Sequence, residues 1–426
     1  MSRQSFAMLV ALQKSSGSAT QFSHRKSIYR RTKQCTMKVQ RRSFHVINPA
    51  VRIQDVIHHR LAIWDREKAK LHGQSNTVTT QFKFGELMLE VQEHNHITLG
   101  TVIKNIKHDP KLATMLPTSK DLLGAIIIGA DGQKTLVGMQ DDIAGGPVEL
   151  IEWVYAKKSE DIATEWMEKG RKMMWHSASH LLGAAVEDVY QRHFPDTTPL
   201  LADGPALSLS SPSGGGYFYE YFAETHLVEK DMELIQNKIT DLIAENVPFE
   251  KMIVPRQVAE EVFYYNPLKL EILQNLDPAI THVSLYKCGP AFIDLCRGPH
   301  VPRSGIIGKN KLFNSGGAYW KGDNTRPYLQ RLYGITFTDA KKLTTWESDR
   351  AEAEKRDHRV IGKAQKLFMF NTTSPGNPFF LPYGTRVFNK LLELMRNEYR
   401  VRGYQEVITP LVFDKQLWET SGHWQH

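Results

Sequence analysis

The chain has 426 residues, of which 41% are hydrophobic and 23% are charged, and its formal net charge is +8. This composition is typical of a globular protein and excludes a disordered one. The longest apolar run, Leu122–Ala130, has nine residues, which excludes a membrane span of about 20 residues. Three cysteines are too few for a disulfide framework and favour a reducing compartment.

The net positive charge comes from residues 1–54, which contain eleven basic side chains and no acidic one. Residues 55–426 carry 43 basic and 46 acidic side chains. The N-terminal segment is also rich in serine, and this composition is typical of a mitochondrial transit peptide. The alternative is a disordered basic tail that touches nucleic acid. The complete lack of acids favours targeting to the mitochondrial matrix, with the cytoplasm as a further location.

A helix is predicted over residues 55–75, followed by a small α/β unit over residues 78–156. In this unit Gly85-Glu86 marks a hairpin turn, and Thr98–Ile106 has the pattern of a helix. The predicted strands are Val78–Phe84, Leu87–Val91, Ala125–Ile128, Gln133–Val137 and Val148–Trp153. This order of strands around one helix suits a β-grasp fold.

Residues 162–340 begin with a helical pattern and continue with strands near Leu207–Ser210 and Tyr217–Phe222. The glycine-rich segment Ser211–Gly216 joins these strands. Because no helix begins directly after the glycines, the segment predicts a hairpin connection and not a phosphate-binding loop. Lys230–Glu245 has the apolar spacing of an amphipathic helix.

The charged segment 341–366 predicts a solvated linker helix with charge pairs four residues apart. Residues 367–426 begin a further domain. Its predicted elements are a strand at Pro378–Leu381, a helix at Arg386–Arg402 with an apolar face turned inward, and a strand at Gln405–Thr409. Sixty residues are too few for an independent core of this kind. We therefore expect that the sequence is part of a longer protein, or that this segment packs on something else.

Two pairs of residues have the spacing of a reactive centre. His176 and His180 share one face of a helix because they lie four residues apart. Cys296 and His300 flank a Gly-Pro turn that brings the second residue back toward the first. Three histidines and a cysteine can ligate zinc or activate a water molecule as an acid–base cluster. The alternative is two packed histidines and an unrelated turn.

The segment Arg297–Arg331 contains seven basic residues and one acidic residue, with aromatic side chains between them. Positive charge combined with stacking groups predicts contact with an RNA backbone and its terminal bases. A basic surface above core aromatic residues is the alternative.

Several segments resemble threonyl-tRNA synthetase, in the order of that family and from about residue 78 to residue 426. These segments are His176–Gly183, Asp294–Pro302, Gly317–Asp323, Leu329–Gly334 and Lys355–Lys363. In addition, Gly403–Pro410 resembles motif 1 of class II synthetases, and Leu417–Trp424 continues the family pattern.

The resemblance implies an α+β multidomain fold. The expected modules are a β-grasp TGS domain (78–156), a two-layer α/β editing domain (162–340), the linker helix, and the start of a class II antiparallel-sheet catalytic domain (367–426). The implied activity is ATP-dependent threonylation of tRNA-Thr, with hydrolytic editing of Ser-tRNA-Thr. Serine differs from threonine by one methyl group, which supplies only about 1–3 kcal/mol of discrimination, so a second, hydrolytic site is needed.

The resemblance also implies roles for individual residues. His176, His180, Cys296 and His300 would hold the water and the terminal adenosine. Asp294 would position the seryl group and Lys269 would orient the water. The expected substrate-binding residues are Gly204, Tyr219, Arg297, Trp320 and Lys321. The similar set in alanyl editing domains binds zinc, whereas threonyl editing sites are read as metal-free, so no metal is assigned.

The remaining implications concern the complete enzyme. The binding sites for ATP with magnesium are expected beyond His426, where motifs 2 and 3 would lie. The ligands of a zinc ion that recognises threonine are expected there as well. The 426 residues alone are therefore not expected to form threonyl adenylate. The implied partners are tRNA-Thr, threonine, ATP and a second subunit in a homodimer, without a membrane. The alternatives are a stand-alone trans-editing deacylase and a non-catalytic TGS module that binds RNA.

Overall fold

The computed structural model describes residues 51–425 except for gaps at 74–76, 85–86, 95, 108–112, 114–115, 117–119, 144–146, 162–163 and 208–214. These residues form two compact units that divide between Leu343 and Thr344. The predicted transit peptide lies outside the described residues as far as residue 50. The predicted turn at Gly85-Glu86 and residues 211–214 of the glycine-rich segment lie outside them as well.

In the first unit, the first helix among the described residues is α1, Ile53–Gly73, and a five-stranded sheet follows it. The strands are β1 Thr77–Phe84, β2 Leu87–His94, β3 Leu122–Ile128, β4 Lys134–Gly138 and β5 Val148–Tyr155. Their order is β2-β1-β5-β3-β4, with β1 parallel to β5 and the other neighbours antiparallel. Helix α2, Leu99–Lys107, buries its apolar face in the same core as Phe82 and Ile127. The five predicted strands and the helix are confirmed.

A long helix runs through the core of the remainder of this unit. After α3, Ala156–Asp161, helix α4 spans Glu165–His193 and begins where the Thr164 hydroxyl accepts a hydrogen bond from Met167 N. Most of α4 is buried, on all sides, over its middle turns. A helix that is enclosed in this way belongs to a core and not to a surface.

Two antiparallel sheets accompany α4. Their strands are β6 Leu200–Leu201, β7 Tyr217–Phe222, β8 Phe249–Pro255, β9 His282–Cys288, β10 Phe292–Leu295, β11 Lys309–Tyr319 and β12 Tyr328–Phe337. The first sheet has the order β11-β12-β7-β6 and the second has the order β10-β9-β8. The helices between them are α5 Glu229–Ala244, α6 Arg256–Val262 and α7 Pro267–Gln274. The fold is thus α+β with several antiparallel sheets.

Helix α1 docks on this part of the unit through a buried charge. The Arg60 side chain is fully buried, and its Nη1 lies 2.7 Å from Glu187 Oε1 on α4. Arg60 Nε donates to the carbonyl of Ala291, 3.1 Å away, just before β10. Ile53 at the start of α1 belongs to the core around α4. One arginine therefore joins α1, α4 and the turn between β9 and β10.

The linker segment and the second unit differ most from expectation. The linker segment forms two helices, α8 Ala340–Lys355 and α9 His358–Ala364, instead of one. The predicted helix is interrupted at Asp357, which is the N-cap of α9. Its carboxylate accepts a hydrogen bond from Arg359 N at 2.7 Å. The short strands β13 Phe368–Met369 and β14 Phe379–Phe380 then pair with each other.

Helix α10, Pro382–Val401, is confirmed, and it ends before Gly403, which has a φ of +81°. Its apolar residues were expected to face inward, but their side chains are exposed: Val387, Leu391, Leu394, Met395 and Tyr399. The strand predicted at Gln405–Thr409 is wrong, because these residues are exposed and pair with no strand among the described residues. Of the strand predicted near Leu207–Ser210, residues 208–210 lie outside the described residues, while Leu207 N donates to Gly216 O at 2.7 Å and Ala206 forms an isolated bridge with Tyr217. Helix α11, Lys415–Thr420, follows.

None of the described helices combines the length and the apolar character that crossing a membrane requires.

Candidate active site

The two residue pairs singled out in the sequence meet in the core of the first unit. His176 and His180 lie one turn apart on α4, and Cys296 and His300 lie on the turn after β10. Cys296 Sγ is 3.3 Å from His176 Nε2 and 3.2 Å from His300 Nε2. One nitrogen or sulfur atom from each of the four residues lies within 4.8 Å of the others. We call these four residues the His/Cys cluster.

The turn that carries Cys296 and His300 depends on Gly298. Its φ of +72° is a left-handed conformation that glycine adopts without strain. A side chain at this position would also collide with the Tyr286 hydroxyl. The Gly298 N–H donates to Cys296 Sγ at 3.2 Å. The backbone thus folds around the sulfur atom and turns it toward α4.

His300 is held on several sides. Its Nδ1 is 3.0 Å from the Ser177 hydroxyl, which itself lies 2.8 Å from the Met173 carbonyl. Because that hydroxyl donates to the carbonyl, it accepts from Nδ1, which leaves Nε2 as an acceptor facing the Cys296 thiol. The imidazole also stacks on the Phe249 ring, with centroids 5.3 Å apart and an interplanar angle of 17°.

A buried ion pair lies beside the cluster. Lys269 Nζ is 2.6 Å from Asp294 Oδ1, and the Tyr219 hydroxyl donates to Asp294 Oδ2 at 2.6 Å. His180 Nε2 is 3.9 Å from the same Oδ2 atom. Helix α7 presents Lys269 in its first turn, where Asn266 caps the helix. The structure therefore brings Lys269, Asp294 and Tyr219 together with the His/Cys cluster.

Gly204 lies beside the site, next to the Ser179 hydroxyl and the Tyr219 ring. Its carbonyl accepts a hydrogen bond from the Ser179 hydroxyl on α4. A side chain at Gly204 would overlap the Tyr219 ring. Gly204 therefore permits a close approach of backbone and ring next to the histidines.

The three other expected substrate residues are placed differently. Arg297 is exposed next to Cys296. Trp320 is buried, and its indole Nε1 donates to Glu271 Oε2 at 3.0 Å, while Lys321 Nζ lies 2.8 Å from Glu271 Oε1. Trp320 and Lys321 thus join α7 and not the His/Cys cluster.

The basic segment Arg297–Arg331 is partly neutralised by acids from other elements. Arg326 Nη1 is 2.7 Å from Glu271 Oε1, and Arg331 Nε is 2.8 Å from Glu220 Oε1. The local charge count did not include these acids, because they lie 55 and 111 residues away in sequence. The free positive charge of the segment is therefore smaller than the sequence indicates.

Burial sets the charge of the cluster. Burial lowers the pKa of His180 to about 3, although the negative charge of Asp294 acts to raise it. Burial lowers the pKa values of His176 and His300 as well. Burial raises the pKa of Cys296 to about 12. Burial also acts to raise the pKa of Asp294, but the Lys269 ammonium and the hydrogen bonds from Lys269 and Tyr219 outweigh it, so this pKa is lowered. At neutral pH the site contains neutral imidazoles and a thiol beside a carboxylate.

The donor types in the cluster are those that zinc accepts. The thiol also accepts the Gly298 N–H and lies within hydrogen-bond distance of two imidazoles. The cluster can thus hold either a metal ion or a water molecule, and the assignment of no metal stays a prediction. The polar residues that sequence reasoning missed are Ser177 and Glu271. Ser177 lies between the two histidines in the motif His176–Gly183, which is the only signal that pointed to it.

Acidification is expected to destabilise the fold through His180. An unfolded histidine takes up a proton below about pH 6.5, whereas folded His180 does so only near pH 3. The unfolded state therefore binds more protons between these values, and stability present above pH 6.5 is lost as the pH falls. The expected loss is about 1.4 kcal/mol per pH unit. Urea unfolding at pH 7 and pH 5 measures it, and a His180→Gln variant should show a shallower dependence. Equal slopes in both proteins would contradict this assignment.

Comparison with known proteins gives the family. Residues 283–333 match the model of the threonyl and alanyl tRNA synthetase second additional domain. The chain is 41% identical over 378 residues to "Threonine--tRNA ligase 2, cytoplasmic" of Mus musculus, covering 83% of this chain and 46% of that protein. It is 42% identical over 259 residues to "Probable threonine--tRNA ligase 1, cytoplasmic" of Dictyostelium discoideum, covering 61% and 34%.

A third relative is "Threonine--tRNA ligase, mitochondrial 1" of Arabidopsis thaliana, 40% identical over 257 residues, covering 60% of this chain and 34% of that protein. The chain spans less than half the length of each of these three relatives. The matched segment 283–333 contains Asp294, Cys296 and His300. The resemblance to threonyl-tRNA synthetases is thus confirmed over most of the chain, and within it residues 283–333 match the second additional domain of the threonyl and alanyl enzymes.

Proposed function

We propose that this chain is part of a threonine–tRNA ligase and that its His/Cys cluster hydrolyses seryl-tRNA-Thr. The observation that carries the proposal is the convergence of three imidazoles and one thiol beside a buried Lys–Asp pair. Part of this site lies in the domain that matches the synthetase family. A hydrolytic site of this kind removes the serine that is attached because binding discriminates only weakly between threonine and serine.

The chemistry follows from exposure and protonation. His176 and Cys296 are the half-buried members of the cluster, whereas His180 and His300 are buried. A water molecule beside His176 can attack the ester carbonyl while a neutral imidazole takes its proton. The ester C–O bond then breaks, and the terminal ribose oxygen receives a proton. Cys296 acts as a thiol that orients the water, because burial disfavours the thiolate.

The neighbouring ion pair supplies orientation. Lys269 is held by Asp294 at 2.6 Å, and its ammonium can donate to the attacking water or to the developing oxyanion. Tyr219 and Gly204 form the wall against which the seryl group would lie. Arg297 is exposed beside Cys296, and in this proposal it would contact RNA phosphates.

The wider assignments are part of the same proposal. The sheet order β2-β1-β5-β3-β4 with α2 across it supports a β-grasp TGS domain at 78–156. Residues 162–340 would be the editing domain, 341–366 the linker, and 367–426 the start of a class II catalytic domain. ATP with magnesium, a threonine-reading zinc ion and dimerisation would belong to the complete enzyme, with tRNA-Thr as the RNA partner. The basic composition of residues 1–54 supports a mitochondrial location.

Hydrolysis of Ser-tRNA-Thr by the purified chain tests the proposal. The wild-type chain should release serine faster than it releases threonine from Thr-tRNA-Thr. His176→Ala should lower the rate about hundredfold, because it removes a general acid–base group. His193→Ala is the matched control, since His193 is an exposed histidine at the end of the same helix.

Two outcomes would decide against the proposal. A folded wild-type chain without deacylase activity would favour a non-catalytic RNA-binding module. Equal rates for His176→Ala and His193→Ala would show that hydrolysis takes place elsewhere.

A further inference from the structure

We propose that the turn Gly138–Asp141, which follows β4 of the five-stranded sheet, is a positioning element for His300 in the His/Cys cluster. The inference rests on the proposed function, because it assigns positioning residues to that reaction. Gln140 and Asp141 are the side chains through which the turn acts. They directly follow β4 of the five-stranded sheet, whereas the residues of the cluster lie on α4 and on the turn after β10.

The turn is fixed within its own sheet. Asp141 N donates to Gly138 O at 3.2 Å, and Asp141 Oδ2 accepts from Gly138 N at 2.8 Å. The Met139 carbonyl accepts from Gly100 N at the start of α2, 3.0 Å away. These bonds leave the turn little freedom to move independently of the sheet.

The same turn reaches the elements that surround His300. Asp141 Oδ1 lies 2.7 Å from Lys251 Nζ on β8, and both side chains are largely buried, with exposures of 17% and 15%. The Tyr286 hydroxyl donates to the same oxygen at 3.5 Å. Gln140 Nε2 donates to the Phe249 carbonyl at 3.1 Å.

The backbone of the turn also touches the reactive turn directly. A Cβ on Gly138 would lie 3.2 Å from both His300 O and the Pro299 side chain. Gln140 Nε2 is 3.4 Å from the carbonyl of Val301, the residue after His300. No gap therefore separates the sheet from the residues that present His300.

These contacts converge on a single imidazole. His300 is fully buried, and its ring packs between the Phe249 ring at 5.3 Å and the Tyr286 ring at 4.5 Å. Gln140 donates a hydrogen bond to the backbone carbonyl of Phe249, and Asp141 accepts one from the hydroxyl of Tyr286. Because packed interiors transmit displacement, loss of these hydrogen bonds would move His300 relative to Cys296. A misplacement of about 1 Å can lower a rate about hundredfold.

The test compares two turns at opposite ends of strand β4. Asp141→Ala removes the contacts to Lys251 and Tyr286. Asp131→Ala removes an exposed turn residue whose carboxylate, among the described residues, accepts a hydrogen bond from Gln133 N alone, at 3.0 Å. We expect kcat for Ser-tRNA-Thr hydrolysis to fall about tenfold to hundredfold in Asp141→Ala, with KM unchanged. The Asp131→Ala control should match the wild type in both constants.

Amide hydrogen exchange of residues 292–303 gives a second readout that does not depend on activity. Exchange at Gly298 and Val301, whose N–H groups bond Cys296 Sγ and Ser177 Oγ, should be faster in Asp141→Ala and unchanged in Asp131→Ala. If Asp141→Ala does not fold, Asp141→Asn removes the charge and keeps the volume, and the same outcomes apply to it.

The outcomes separate this inference from the proposed function. A wild-type chain that hydrolyses Ser-tRNA-Thr together with an equally active Asp141 variant would overturn the inference alone. A rise in KM at constant kcat would also overturn it, since it would place the turn in RNA binding. If the wild-type chain is inactive, the proposed function fails, and unchanged exchange in Asp141→Ala would then reject the positioning role as well.

Discussion

Replacing Lys269 by methionine is expected to lower the free energy of unfolding by about 3–5 kcal/mol, because it leaves a buried carboxylate without its cation. The Lys269 and Asp294 side chains are only 2% and 4% exposed, and their charged atoms lie 2.6 Å apart. Tyr219 and His180 remain near Asp294 but carry no positive charge at neutral pH. Urea unfolding at pH 7.5 measures the loss.

Two further variants sharpen this prediction. In the double variant Lys269→Met/Asp294→Asn no buried charge is left unpaired, so part of the stability should return. Lys68→Met is the matched control, because Lys68 pairs with Glu250 at 2.6 Å on the surface, with exposures of 45% and 34%. Exposed pairs contribute little to stability. Similar losses in Lys269→Met and Lys68→Met would contradict the importance of the buried pair.

Arg60→Met is expected to cost a similar amount, about 3–5 kcal/mol, since it strands the buried Glu187 carboxylate. The Arg60 and Glu187 side chains have exposures of 0% and 5%. The substitution also removes the donor to the Ala291 carbonyl. Thermal or urea unfolding of the first unit should therefore move to clearly milder conditions.

Arg52→Met provides the matched control on the same segment of chain. Arg52 pairs with Asp55 at 3.1 Å, but the two side chains are 69% and 52% exposed. Its replacement should change stability little. If Arg52→Met and Arg60→Met unfold alike, α1 does not depend on its buried arginine. An Arg60→Met/Glu187→Met double variant that is more stable than Arg60→Met would support the stranded carboxylate as the cause.

Local patterns predicted most of the regular elements. Alternation and β-branched runs identified β1 to β5 within a few residues, and helical spacing identified α5 and α10. Predictions failed where an element depends on distant partners. Gln405–Thr409 has the composition of a strand but no pairing strand among the described residues, and the apolar side of α10 is exposed. A strand or an inward face requires a second surface, which a local pattern does not contain.

The residues of the candidate site also fall into those that a local pattern predicted and those that it did not. The i, i+4 spacing predicted that His176 and His180 share a face, and the Gly-Pro turn predicted the return of His300 toward Cys296. Nothing local pointed to Lys269, which reaches the site from α7, 25 residues before Asp294 in the sequence, and the family resemblance alone supplied it. The pairing of Arg60 with Glu187 spans 127 residues. Such contacts follow from the tertiary fold and leave no periodic signal.

The docking of α1 limits where the protein can be trimmed. The Thr198 hydroxyl donates to the carbonyl of Val51, and Ile53 is only 2% exposed. A protease that removed the proposed transit peptide would therefore have to cut before Val51 to leave this hydrogen bond intact. A cut between Gln54 and Asp55 would discard a core side chain and the first hydrogen bond that ties α1 to the rest of the unit. On this proposal, the removable segment would end at or before residue 50.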